Sequence, residues 1–186
     1  MEKKIYIIRH CKAEGQPAES RLTDEGVRQA QILSEFFSNI KIDRIISSPF
    51  LRAIQSVAPL GEKTNLKIEI DERLSERTLA EVDLPDWLEK LKVTYSDMEL
   101  KFEGGESSQE ATNRVVEVVD DIIKSDDENT IIVTHGNLMS LLLKYFNNDF
   151  DFEQWKRLSN PDVFILSFKN HEATFERLWQ ENIIKI

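Results

Sequence analysis

Ile5-Tyr6-Ile7-Ile8-Arg9-His10-Cys11 is an apolar run that stops abruptly at an arginine and a histidine. It is apolar on both faces of an extended chain, so it reads as a strand over residues 3–9 in the middle of a parallel sheet. Ligands of open α/β sheets bind in the crevice at the carboxyl ends of the strands. A buried strand that delivers Arg9-His10 to that end is the expected start of a site. Four later stretches lie beside strand-like runs: Ser47-Ser48-Pro49-Phe50-Leu51-Arg52, Leu74-Ser75-Glu76, Gly105-Glu106-Ser107 and Thr134-His135-Gly136-Asn137. With the first, they bring together two histidines, two arginines and a carboxylate.

Outward from that strand, Lys12 to Leu22 holds Gly15, Pro17 and Ser20 and reads as a loop. Thr23 is placed to cap a helix with an acidic first turn, Asp24-Glu25. Val27, Ala30, Leu33, Phe37 and Ile40 keep helical spacing to about Asn39. Arg44-Ile45-Ile46 is a second strand. Ser48-Pro49 reads as the cap and first position of a helix that carries Arg52 in its first turn and ends at Gly61. Residues 66–70 form a third strand. Ser107-x-x-Glu110 is a capping box, and Ala111, Val115, Val118 and Ile122 make the inner stripe of its helix. Ile131-Ile132-Val133 is another two-faced strand, followed by a leucine-rich helix from Gly136 to about Phe146. Residues 151–158 suggest one more helical piece. A hairpin of 162–168 and 172–179 closes the chain, with His171 at its turn as an ordinary polar residue. This alternation predicts a three-layer α/β/α sandwich with a mostly parallel, mixed sheet. Residues 78–104 are the least regular and too short for a core of their own. They are expected to be an insertion or lid on a single domain, 1–186, with a short helix opening at Pro85-Asp86-Trp87-Leu88.

The length of 186 residues suits one domain with a sizeable core. No apolar run approaches the roughly 20 residues of a membrane span, and the N-terminus lacks the features of a signal peptide. One cysteine, Cys11, permits no internal disulfide, which points to the cytoplasm. A net charge of −10 speaks against nucleic-acid or anionic-membrane partners. Nothing in the sequence indicates an oligomeric state. Three histidines and one cysteine, without an Asp/His cluster at ligand spacing, predict neither metal nor other cofactor.

The gathered residues make chemical sense as an anion site. Phosphoryl transfer depends on positioning and on neutralising charge at non-bridging oxygens. Arg9 and Arg52 offer bidentate grips for such oxygens. His135 falls where a strand meets a helix N-terminus, with free N–H groups and a favourable dipole. Either histidine is a competent nucleophile when neutral, and the residues alone do not say which acts.

Taken in order, Arg9-His10, Leu22-Thr23-Asp24-Glu25-Gly26, Ser47-Ser48-Pro49-Phe50-Leu51-Arg52-Ala53, Leu74-Ser75-Glu76, Gly105-Glu106-Ser107 and Thr134-His135-Gly136 resemble the histidine phosphatase (phosphoglycerate mutase-like) superfamily. The resemblance covers most of the chain and implies a metal-independent phosphatase acting on a small phosphorylated substrate. It makes His10 the phosphorylated nucleophile and His135 the second, phosphoryl-binding histidine. Glu76 becomes the acid that protonates the leaving oxygen and then activates water; Arg9 and Arg52 hold the phosphoryl group. Gln16, Thr23, Gly136 and Asn137 are further candidates for substrate binding.

Two departures from the family pattern stand out. Cys11 replaces the glycine usual after Arg-His, and the glycine and tryptophan that commonly follow the acid are missing from Thr78-Leu79-Ala80-Glu81. A thiol reading of His10-Cys11 would need an arginine six residues past the cysteine, where Pro17 stands. The alternatives are a phosphoglycerate mutase and a non-catalytic binder of phosphorylated partners. Residues 81–103 hold seven acids and three lysines. If they hang over the site they repel polyanions; otherwise they are a solvated face.

Overall fold

A computed structural model describes residues 2–170 and 172–180, so His171 lies outside the described residues. Six strands form one sheet in the order β3-β2-β4-β1-β5-β6: β1 (Lys3–Arg9), β2 (Arg44–Ser47), β3 (Ile68–Ile70), β4 (Asn129–Thr134), β5 (Asp162–Lys169) and β6 (Glu172–Arg177). The first four run parallel, β5 antiparallel to β1, and β6 antiparallel to β5. The helices are α1 (Asp24–Phe36), α2 (Leu51–Thr64), α3 (Trp87–Ser96), α4 (Ser108–Lys124), α5 (Gly136–Phe146) and α6 (Phe152–Lys156). Among them, none is long and apolar enough to cross a membrane.

Side chains alternate across a strand, which is why two-faced strands build two cores. Ile5 and Ile7 of β1 join Ile132, Val115, Val118 and Leu141 on the α4–α5 face. Tyr6 and Ile8 join Ile45, Val133, Leu33 and Val57 on the α1–α2 face. The chain moves outward through α1 and α2 to β3, then back through α4 to β4. Right-handed crossovers in opposite directions must lie on opposite faces. After β1 the chain turns to one face, and after the neighbouring β4 to the other. The crevice that opens between their carboxyl ends is the expected ligand site of such a sheet.

Several local expectations are corrected. α2 begins at Leu51 with Phe50 as its cap residue and continues through Gly61 to Thr64. Asn65 terminates it with φ 56°, in the left-handed region. Gly61 instead allows close packing on β3, where a Cβ would lie 3.2 Å from the Leu66 carbonyl oxygen. α1 ends at Phe36, and Val27 is 52% exposed because Gly26, Ala30 and Leu33 hold the inner positions. The segment 78–104 is partly core: Leu91 and Tyr95 of α3 are buried in the α4–α5 cluster, and Tyr95 Oη bonds Ser140 Oγ at 2.5 Å.

Candidate active site

Main-chain pairing at the sheet's carboxyl edge sets the site. The His10 N–H donates to Thr134 O (3.1 Å) and the Ser48 N–H to Val133 O (2.9 Å). The ends of β1, β4 and β2 are thereby aligned, and the His10 and His135 rings lie with centroids 5.1 Å apart.

The His10 ring is held in one tautomer. Its Nδ1 lies 2.7 Å from Cys11 O, and a carbonyl only accepts, so Nδ1 carries the proton and Nε2 the lone pair. Arg52 Nε donates to that Nε2 at 3.2 Å. Burial, reinforced by Arg52 and Arg9, lowers the pKa of His10 to about 3, against the opposing effect of the Cys11 carbonyl. The ring is therefore neutral at ordinary pH. His135 is fully buried, with Nε2 2.8 Å from Ser48 Oγ. Its pKa is also lowered, by burial first and then by His10 and the two arginines. Ser48 Oγ also accepts from the Phe50 N–H (3.2 Å), and His135 Nδ1 has no partner among the described residues. Ser48 was not singled out from the sequence, though it stands inside the Ser47–Arg52 stretch.

Arg52 is 1% exposed. Its Nη1 donates to Gln16 O and Pro17 O at 2.9 and 2.8 Å, and its guanidinium lies 5.0 Å from the Phe50 ring centre. Arg9 Nη1 donates to Leu158 O (3.1 Å) and Ser159 O (3.4 Å). The guanidinium presses on Gly136, where a Cβ would lie 2.9 Å from Cζ; a side chain at 136 would displace it. Glu76 sits on the N-terminus of α5. Its Oε2 accepts from Asn137 N at 3.1 Å, and its Oε1 from Leu138 N at 3.0 Å and Arg77 N at 2.8 Å.

The structure thus brings Arg9, His10, Arg52, Glu76, His135, Gly136 and Asn137 to one place. Gln16 contributes its carbonyl to Arg52 and lines the adjoining cleft. Thr23 is not among the residues lining that cleft. Its Oγ1 accepts from Gly26 N (3.0 Å), so it serves the free N–H groups of α1. Cys11 is fully buried in the α1–α2 core and has no positive φ. Burial pushes its thiol up to about 12, which leaves little thiolate for nucleophilic attack.

Arg9, Glu76, Gly136 and Asn137 line a cleft of about 540 Å³. Its remaining wall includes Arg77, Leu79, Trp87, Leu91 and Trp155, none of them identified from the sequence as site residues. Arg77 is buried and bonded to neutral acceptors, Glu106 O and Thr94 Oγ1. Of the acids in 81–103, none lines the cleft, and those residues are exposed. Six buried side-chain polar atoms lack a partner among the described residues, and four of them gather here: Arg9 Nε, His135 Nδ1 and both amide atoms of Asn137. Buried polar groups are normally paired. Their concentration beside two arginines marks a place built to receive a ligand rich in acceptor oxygens.

A family model described as the histidine phosphatase superfamily (branch 1) matches residues 5–181. A putative phosphoserine phosphatase 2 of Hydrogenobacter thermophilus is 27% identical over 157 residues, 76% of this chain and 77% of that protein. Phosphoserine phosphatase 1 of the same organism is 26% identical over 145 residues, 70% of this chain and 69% of its own. Among solved structures, a putative α-ribazole-5′-phosphate phosphatase from Escherichia coli superposes with a TM-score of 0.77 at 18% identity, covering 96% of each chain. The chain belongs to the histidine phosphatase superfamily.

Proposed function

We propose that this histidine phosphatase hydrolyses small phosphate monoesters through a phosphohistidine on His10. The observation that carries the assignment is the bond from His10 Nδ1–H to Cys11 O, which leaves Nε2 as an unprotonated base against Arg52. The related proteins named for phosphoserine and α-ribazole phosphate handle phosphate monoesters of small alcohols, which supports the substrate class.

In the first step Arg52 exchanges His10 for a phosphoryl oxygen, and the Nε2 lone pair attacks phosphorus as the ester P–O bond breaks. Glu76, in its protonated form, gives its proton to the leaving oxygen. Water then attacks phosphorus, the P–N bond breaks and Glu76 takes the water's proton. Arg9, Arg52 and His135 hold the charge that builds on the equatorial oxygens. Gly136 keeps Arg9 and the head of α5 close together. The arginines provide the positive charge that a cation provides elsewhere, so activity is expected to survive exhaustive chelation.

Acid-free quenching during turnover, followed by mass spectrometry, is expected to find the phosphate on His10. A phosphate on His135 or Cys11 would overturn the assignment. His10→Ala is expected to lose at least about a thousandfold in kcat, because no neighbouring group replaces the nucleophile.

A further inference from the structure

We infer that the wall formed by Leu79, Trp87, Leu91 and Trp155 is a leaving-group subsite for an uncharged, ring-bearing alcohol. The inference rests on reading this cleft as the phosphoester site. The four side chains lie in the same cleft as Arg9, Glu76 and Asn137. They come from three separate places: the strand-free segment after Glu76, α3 and α6. Trp155 is stacked on Phe152, with centroids 5.4 Å apart and planes at 26°, which holds its indole in place. Trp87 stands at the first position of α3 and is 50% exposed. A tryptophan left half in water beside an apolar wall has apolar surface to offer an incoming group.

The charges around the cleft point the same way. The phosphoryl group engages Arg9 and Arg52, and Arg77 is already bonded to Glu106 O and Thr94 Oγ1. Apart from Arg77, which is already bonded, a second phosphate or a carboxylate would meet a wall of leucine and tryptophan. The cleft volume of about 540 Å³ falls in the range of pockets that enclose a drug-sized ligand; a two- or three-carbon alcohol would leave most of it to water. Asn137 is 7% exposed with both amide atoms unpartnered, and it meets the polar atoms next to the ester. The favoured substrate is therefore a monoester with a single phosphate on an alcohol whose body is an aromatic or similar apolar ring.

The test separates this from phosphatase activity itself. Calorimetry on the full chain compares 2-phenylethylphosphonate with ethylphosphonate, neither of which can be hydrolysed. The ring is expected to tighten binding at least about tenfold, since its burial removes apolar area from water. Trp87→Ala and Trp155→Ala are each expected to shrink that gap severalfold, with little change in ethylphosphonate affinity. Equal affinity for the two phosphonates, or a gap that survives both substitutions, overturns the subsite. Hydrolysis of 2-phenylethyl and ethyl phosphate is measured alongside, because their alkoxide leaving groups are chemically alike. Phosphonate binding with the expected gap but no hydrolysis of either ester overturns the phosphatase reading and leaves the subsite standing. Failure of both phosphonates to bind, with neither ester hydrolysed, overturns both.

Discussion

His10 and Cys11 are adjacent, and burial acts on them in opposite directions along the pH axis. His10 stays neutral to about pH 3 in the folded chain, whereas an unfolded histidine takes up its proton near ~6.5. The unfolded state then binds more protons between these values, so His10 makes stability fall as pH drops through that window. The contribution lost between pH 6.5 and 4.5 is roughly 1–2 kcal/mol after allowing for partial solvent screening. Urea unfolding at pH 7 and 4.5 is expected to show a smaller difference for His10→Gln than for the wild type. Cys11 presents the converse case, because its thiol remains protonated through ordinary pH. Its surroundings are those of a small apolar core residue. Cys11→Ser is expected to keep kcat within about threefold while unfolding more easily, by roughly 1–2 kcal/mol for burying a hydroxyl. A thousandfold loss of kcat in a folded Cys11→Ser protein would instead assign chemistry to the thiol.

At the scale of elements, the connection from α6 into β5 is the one whose contribution to the site has no signature in the Arg-His or His-Gly stretches. Its carbonyls at Leu158 and Ser159 hold Arg9, and Asn160 Nδ2 donates to His10 O at 2.8 Å. This connection is braced in turn by Asp162, which is fully buried opposite Arg9 in the β1–β5 register. Asp162 Oδ2 accepts from Ser159 N at 2.9 Å, and both its oxygens accept from Arg177 of β6 at 2.9 and 2.6 Å. Arg177 is exposed but Asp162 is fully buried, so removing the arginine leaves a buried charge uncompensated. Arg177→Met is therefore expected to weaken inhibition by inorganic phosphate and lower kcat/KM, each by about tenfold, through a loosened Arg9. Arg177→Lys is expected to restore part of both. A folded Arg177→Met enzyme with wild-type phosphate inhibition would confine the pair to a structural role.

For the whole molecule, an acidic balance coexists with a cationic site because the charges occupy different layers. The acids of 81–103 face solvent, while α3 turns Leu91, Thr94 and Tyr95 inward. Steering by that segment would act over solvent distances, where salt screens it within about 10 Å. Neutralising Asp83, Asp86 and Glu89 together is expected to leave the preference for a monoester over a bisphosphate within twofold at low and high salt. A preference that collapses in the triple mutant would restore an electrostatic role to the lid.

Much of this arrangement was legible along the chain, for reasons that are local. Two-faced apolar runs such as Ile5–Ile8 and Ile131–Val133 are intelligible only as inner strands. Caps such as Thr23 and Ser107 answer the unpaired N–H groups of their own helices. The order of Arg9-His10, Arg52, Glu76 and His135 placed polar groups near strand ends, so the sequence by itself determined the layered fold and which polar side chains gather at its carboxyl edge. Which nitrogen of His10 carries the proton was decided by the folded geometry, because it depends on how the ring meets the neighbouring Cys11 O and on Arg52 reaching it from α2. The positions of Ser48, Asn160 and Asp162 behind the site arose the same way, from strands far apart in the chain meeting at one sheet edge. The apolar wall also belonged to the tertiary structure alone. Trp87 and Leu91 share a face of α3 at i, i+4, but no spacing or motif ties them to Leu79 or Trp155, and only the packing of α3 and α6 against the α4–α5 layer brings the four to a common surface.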